Sequence, residues 1–335
     1  MSFGATIFGC QGQELSATEA SFFREADPFG FILFDRNLDN AEQIQRLCED
    51  LRDAVGRDAP ILIDQEGGRV QRLRPPLATQ WLPPLEDVER FGANAPRAMY
   101  LRYRIIAEEL MALGIDANCA PMVDIACSQT HEFLKNRCYG SDLQTVVKVG
   151  QAVAGGLLDG GVLPVLKHIP GHGRAVADSH HDLPIVDTNG EILKQNDFAA
   201  FTALNDIPMG MTAHITYSAF DDRPATLSPK MMGLIRDEIG FDGLLMTDDI
   251  SMKALTGSLA ELSRLSIDAG CDVVLHCNGT MGEMEDVAGA AGQMGERAAA
   301  RADAALACRR TPDPVDISHL QAQLEALLNG TVNDA

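Results

Sequence analysis

Eight short apolar runs punctuate the chain, at 4–9 (GATIFG), 30–34 (GFILF), 60–64 (PILID), 114–125 (GIDANCAPMVDI), 163–169 (LPVLKHI), 207–214 (IPMGMTAH), 243–249 (GLLMTDD) and 272–277 (DVVLHC). They are apolar on both faces, the pattern of parallel strands covered by helices. Between them the apolar spacing turns helical and the ends are marked. Ser228-Pro229 reads as N-cap and first helical residue, Met232, Ile235 and Ile239 share a face, and Gly240 is a stop. Pro96 opens a stretch with Tyr103, Ile106, Leu110 and Leu113 at helical spacing, closed by Gly114. VGQAVAGGLLDGG ends in Gly160-Gly161 and passes directly into the fifth run. Eight strands alternating with helices predict a (β/α)8 TIM barrel, with 285–335 as a closing helical tail. A doubly wound sheet fits less well, because no strand is followed by the Gly-x-Gly-x-x-Gly that cradles a dinucleotide.

The 335 residues alone would suggest two domains at roughly 150 residues each. No repeat, low-complexity tract or long polar linker offers a cut, so the expectation is one catalytic domain over 1–335. Lys and Arg number 27 against 48 Asp and Glu, a formal charge of −21. That disfavours a nucleic-acid binder or a docker on anionic lipid, both of which need a basic surface. No run approaches the roughly 20 apolar residues of a membrane span, and the N-terminus lacks the basic start of a signal peptide. The eight cysteines form no Cys-x-x-Cys pair and mostly sit among apolar neighbours, as reduced thiols would. The chain is therefore expected to be cytoplasmic, with no obligate protein partner evident.

In a parallel barrel the chemistry lies at the C-terminal ends of the strands. There the third run ends in Asp64-Gln65-Glu66-Gly67-Gly68-Arg69 with Arg72 beyond, the fifth in Lys167-His168, the sixth in His214 and the seventh in Asp248-Asp249. Charges directly after apolar runs must pair with one another, as a ring of ion pairs closing the barrel, or act on a ligand. The densest segment is KHIPGHGRAVADSHHDLP (167–184), which holds four of the eight histidines. His168, His172, His180 and His181 with Asp178 could bind zinc, although barrel metal sites usually draw ligands from several strand ends. Asp178-x-His180 instead suits a carboxylate that orients an imidazole for proton transfer. Asp248 is expected to face the barrel mouth as a nucleophile or charge stabiliser, while Asp249 caps a helix over DDISMKAL.

IDQEGGRVQRL (63–73), KHIPGHGRAVADSHHDLP (167–184), MTAHITYSAFDDRPATLSPK (211–230), GFDGLLMTDDISM (240–252) and DAGCDVVLHCN (268–278) resemble the bacterial β-N-acetylglucosaminidases of glycoside hydrolase family 3. The match runs from about residue 7 to 280 and is nearest the single-domain cytoplasmic type used in peptidoglycan recycling. It implies a retaining exo-glycosidase with no metal or other cofactor, acting on a sugar that ends in N-acetylglucosamine. By that resemblance Asp248 is the nucleophile, His180 the general acid/base and Asp178 its partner. Asp64, Arg72, Arg137, Lys167 and His168 hold the terminal sugar. A phosphorylase of the same family, a zinc-dependent barrel hydrolase and a non-catalytic sugar-binding barrel are the alternatives.

Overall fold

The computed structural model describes residues 3–176, 183–312 and 314–329. Each of the eight apolar runs contributes one strand: β1 (Gly4–Gly9), β2 (Pro28–Leu33), β3 (Ile61–Ile63), β4 (Ala117–Asn118), β5 (Leu163–Ile169), β6 (Met209–Thr212), β7 (Leu244–Met246) and β8 (Val274–His276). They form one parallel sheet in the order β7-β6-β5-β4-β3-β2-β1-β8. A bridge from Met246 to Val273, with Thr247 N–H donating to the Val273 carbonyl, brings β7 against β8 and nearly closes the ring. That bridge sets the two end strands of the barrel sheet against each other, so little of either edge is left for a foreign strand. Every residue of all eight strands is buried, which is why the runs read as continuously apolar.

The strands are shorter than the runs that predict them. The fourth run spans twelve positions (114–125) yet its continuous ladder is Ala117–Asn118; Pro121 has no N–H to donate, and pairing with β5 resumes beyond it at a bridge from Met122 to Lys167. The helix signals are obeyed more closely. Ser228 accepts from the Met231 N–H at the start of Pro229–Gly233, the helix continues over Leu234–Glu238, and Gly240 follows at φ +75°. Pro96 lies in the first turn of Ala95–Met111, which ends before Gly114 at φ +82°. Helix Leu143–Asp159 packs beside Ala95–Met111 before the chain enters β5.

The helix expected over DDISMKAL is absent. Residues 250–255 form turns, and the first helix after β7 is Leu259–Ala269, capped by Ser258. The Asp249 carboxylate accepts from the Ser251 N–H at 3.2 Å and from the Cys277 N–H at 3.1 Å, so it pins a local turn to the end of β8.

After β8 come helices Met281–Ala291, Glu296–Ala307 and Ile317–Leu328. The last presents Leu320, Leu324 and Leu327 to Ala98, Leu101 and Ile105, covering one outer helix of the barrel. No described helix is long and apolar enough to cross a membrane.

Candidate active site

A cavity of about 430 Å³ opens at the C-terminal ends of the strands, within the size range of small-molecule sites. Asp64, Arg72, Arg137, Lys167, His168 and Asp248 all line it. Six sequence-predicted residues from four separate segments thus share one space. Asp178 and His180 lie outside the described residues, as does His181.

A hairpin builds the first half of the site. Gln65–Gly67 pairs antiparallel with Val70–Gln71 around Gly67 and Gly68, whose φ angles of +112° and +58° suit glycine. A Cβ at Gly67 would also collide with the Arg102 guanidinium, which donates to the Glu66 carbonyl beneath it. The reversal returns Arg72 over Asp64, Nη2 to Oδ2 at 3.1 Å. From β5, Lys167 Nζ reaches Asp64 Oδ1 at 3.0 Å and Glu66 Oε1 at 2.6 Å. Arg137 grips Glu66 with two donors, Nε to Oε2 at 2.8 Å and Nη2 to Oε1 at 2.7 Å.

These ion pairs join the segment after β3 to Lys167 of β5 and to Arg137 rather than ringing the whole barrel, and they also wall the cavity, so for these charges pairing and a place beside a ligand coincide. Burial would push the Glu66 carboxyl up, but Arg137 and Lys167 outweigh it and bring it down to about 2. Asp64 is driven the same way by Lys167 and Arg72 and stays well below the usual carboxylate range. Lys167, which burial would discharge, is held charged by those two carboxylates. The site therefore presents fixed charges near neutral pH, acceptors and donors in the mix that binds sugar hydroxyls.

His168 is oriented from behind. Its Nδ1 lies 2.7 Å from Oδ2 of Asp124, a fully buried carboxylate that also accepts from the His172 backbone N–H at 2.5 Å. A carboxylate accepts, so Nδ1 carries the proton. Burial, and next the neighbouring His168, hold the His172 imidazole down to about 4, so it is neutral at pH 7. Among the described residues no three His, Cys, Asp or Glu side chains converge as a metal site. Asp248 sits just past β7, half-buried, with Oδ1 accepting from the Asp249 N–H at 2.8 Å.

Two residues of the site carried no assigned role from sequence. Glu66 was visible at a strand end, but its partnership with Arg137 across 71 positions was not. Asp124 is the last polar residue of the fourth run, one position before its end, and that placement was the available signal. The apolar lining, including Phe34, Met211 and Met252, had none.

The sequence profile described as the glycosyl hydrolase family 3 N terminal domain matches residues 13–308. A beta-hexosaminidase of Stenotrophomonas maltophilia is 35% identical over 283 residues, covering 81% of this chain and 83% of that one. The crystal structure of native NagZ from Neisseria gonorrhoeae superposes with a TM-score of 0.84 at 26% identity, covering 100% of this chain and 99% of the other. The same NagZ in complex with N-trifluoroacetyl-D-glucosamine also scores 0.84 at 26% identity, covering 99% and 97%.

Proposed function

The chain belongs to glycosyl hydrolase family 3 and is a glycosidase of the β-hexosaminidase kind, and from that premise we propose a retaining exo-β-N-acetylglucosaminidase that removes terminal β-linked N-acetylglucosamine from peptidoglycan-derived muropeptides in the cytoplasm. One observation carries the reading: a single cavity combines the Asp248 carboxylate with the Asp64, Arg72, Arg137, Lys167 and His168 set. The neighbouring NagZ structure with an N-acylglucosamine supports a sugar of that class as the ligand.

The terminal sugar binds with its hydroxyls on Asp64, Arg72, Lys167 and His168, and Arg137 at the cavity wall. Asp248 attacks C1 while the glycosidic C1–O bond breaks, and His180, oriented by Asp178, gives its proton to the departing oxygen. A glycosyl ester on Asp248 results. The now neutral His180 takes a proton from water, the water oxygen bonds to C1, and the ester C1–O bond breaks to restore the Asp248 carboxylate. Two displacements give net retention. Imidazole, alone among side chains in having a reference pKa close to neutral, can both give and take a proton in such a cycle. The helical tail completes the same catalytic unit.

Asp248→Ala should remove nearly all turnover while leaving the fold intact, and near-wild-type activity would refute the assignment. His180→Ala should harm substrates with poor leaving groups far more than activated aryl glycosides, which need little protonation. Equal losses on both would refute the acid role. Incubating N-acetylglucosaminyl-anhydromuramic acid and chitobiose side by side, with and without phosphate, identifies the aglycone. Free sugar is expected in either buffer; sugar 1-phosphate would make the enzyme a phosphorylase.

A further inference from the structure

His214 stands two residues beyond β6 and has no part in the mechanism above. Its ring is fully buried and does not line the sugar cavity. Nε2 lies 3.0 Å from the Asp249 carbonyl oxygen and Nδ1 lies 2.8 Å from Thr226 Oγ1. A carbonyl only accepts, so Nε2 carries a proton. Burial lowers the imidazole's affinity for a second proton, against the opposing pull of Asp248, so Nδ1 is an acceptor. Thr226 then gives its single proton to Nδ1 in preference to the Ala213 carbonyl at 3.2 Å. With that proton committed, Thr226 accepts from the Thr212 hydroxyl at 2.8 Å. The bonds run with one polarity, from Thr212 through Thr226 and His214 to the backbone of Asp249.

That backbone is the mount of Asp248. The Asp249 N–H donates to Asp248 Oδ1 at 2.8 Å, and the Asp249 side chain is tied to the Cys277 N–H and to Ser251. Side-chain bonds thus anchor Asp249 to β8, and the peptide after it is held there too, by the Ile250 N–H on the Leu275 carbonyl at 2.9 Å. The Asp249 carbonyl accepts from the Met252 N–H at 3.0 Å within the turn and from His214, which is its tie to the β6 side among the bonds described. We propose that His214 is a positioning residue for Asp248: by donating from Nε2 to the Asp249 carbonyl it fixes the backbone whose own N–H holds the nucleophile's carboxylate. The inference rests on Asp248 being the nucleophile. A displacement of the order of 1 Å at a reacting group costs about 100-fold in rate.

The test uses the full chain and an activated aryl N-acetylglucosaminide, with variants His214→Gln, His214→Asn, His214→Leu and Thr226→Val beside Asp248→Ala. Glutamine carries a donor near the reach of Nε2, whereas asparagine is too short and leucine has none. His214→Leu and His214→Asn should lower kcat by about 10- to 100-fold. KM should stay within about threefold, because the sugar-binding set is untouched. His214→Gln should recover much of kcat. A purely structural role would lower the unfolding temperature and leave kcat per folded molecule at the wild-type value, which would overturn the proposal. A Gln variant no better than the Leu variant would overturn it as well. If His214→Leu does not fold, Thr226→Val, which frees Nδ1, gives the same reading: lost kcat supports the proposal and wild-type kcat overturns it. An active Asp248→Ala means that the nucleophile assignment itself has failed. An inactive Asp248→Ala with fully active His214 variants means that only the positioning claim has failed.

Discussion

Glu66→Gln keeps the shape of the buried group and removes its charge. Glu66 is 1% exposed and is held by three contacts of 2.6 to 2.8 Å from Lys167 and Arg137, so water cannot replace what the carboxylate supplies. The fall from the ordinary 4.5 to about 2 is worth about 3 kcal/mol at pH 7, at roughly 1.4 kcal/mol per pH unit. Breaking a buried pair from one side costs about 3–5 kcal/mol by independent precedent, so the two figures agree. The carboxyl is depressed in the folded state, so its contribution is complete above the unfolded value. It is lost as pH falls from about 4.5 towards about 2. Urea unfolding of wild type and variant at pH 7, 5, 4 and 3 follows the loss of this charge together with the response of Asp64, which shares Lys167 with it. The gap should be about 3 kcal/mol at pH 7 and should narrow below pH 4.5. A gap below about 1 kcal/mol, the size of an exposed pair, or one that does not change with pH, would refute the reasoning.

Three further outcomes follow from the same geometry. Asp124→Asn keeps an acceptor for His168 Nδ1 but removes its charge, and should lower kcat/KM by about 10-fold or more; steady-state kinetics showing no loss would contradict the orienting role. Leu101→Ala empties part of the seam between Ala95–Met111 and Ile317–Leu328 and should cost about 2–5 kcal/mol in urea unfolding, with kcat per folded molecule unchanged. With a thiol reagent on the native protein, exposed Cys308 should react first and half-buried Cys127 more slowly. Cys10 and Cys48, pushed up to about 12 by burial, should react only on unfolding. Prompt labelling of either, located by mass spectrometry, would contradict their burial.

The barrel was legible because its strands are buried on both faces and so write uninterrupted apolar runs, several of them followed by a helix with recognisable end signals such as Ser228 or Gly114. The cavity was legible because strand-end charges such as Asp64, Lys167 and Asp248 stand out against those runs. What sequence did not supply was pairing. Whether Glu66 meets Arg137, or Asp124 meets His168, depends on the register of strands three, four and five around the ring, which no local spacing encodes. The helix expected after Asp249 failed for a related reason: a long-range bond to the Cys277 N–H competes with local capping. His214 was visible as a polar residue at a strand end, but its partners Thr226 and Asp249 come from two different loops.

The central claim is that a sugar becomes covalently attached to Asp248, and one measurement addresses it directly. In His180→Ala an activated aryl N-acetylglucosaminide still glycosylates the enzyme without an acid, but the second step lacks its base, so the intermediate should accumulate. Acid quenching, digestion and mass spectrometry should place N-acetylglucosamine on the peptide that carries Asp248, with fragmentation assigning it to that carboxylate. Finding the sugar on another side chain, or no covalent sugar while aryl alcohol is released in a burst, would contradict the account.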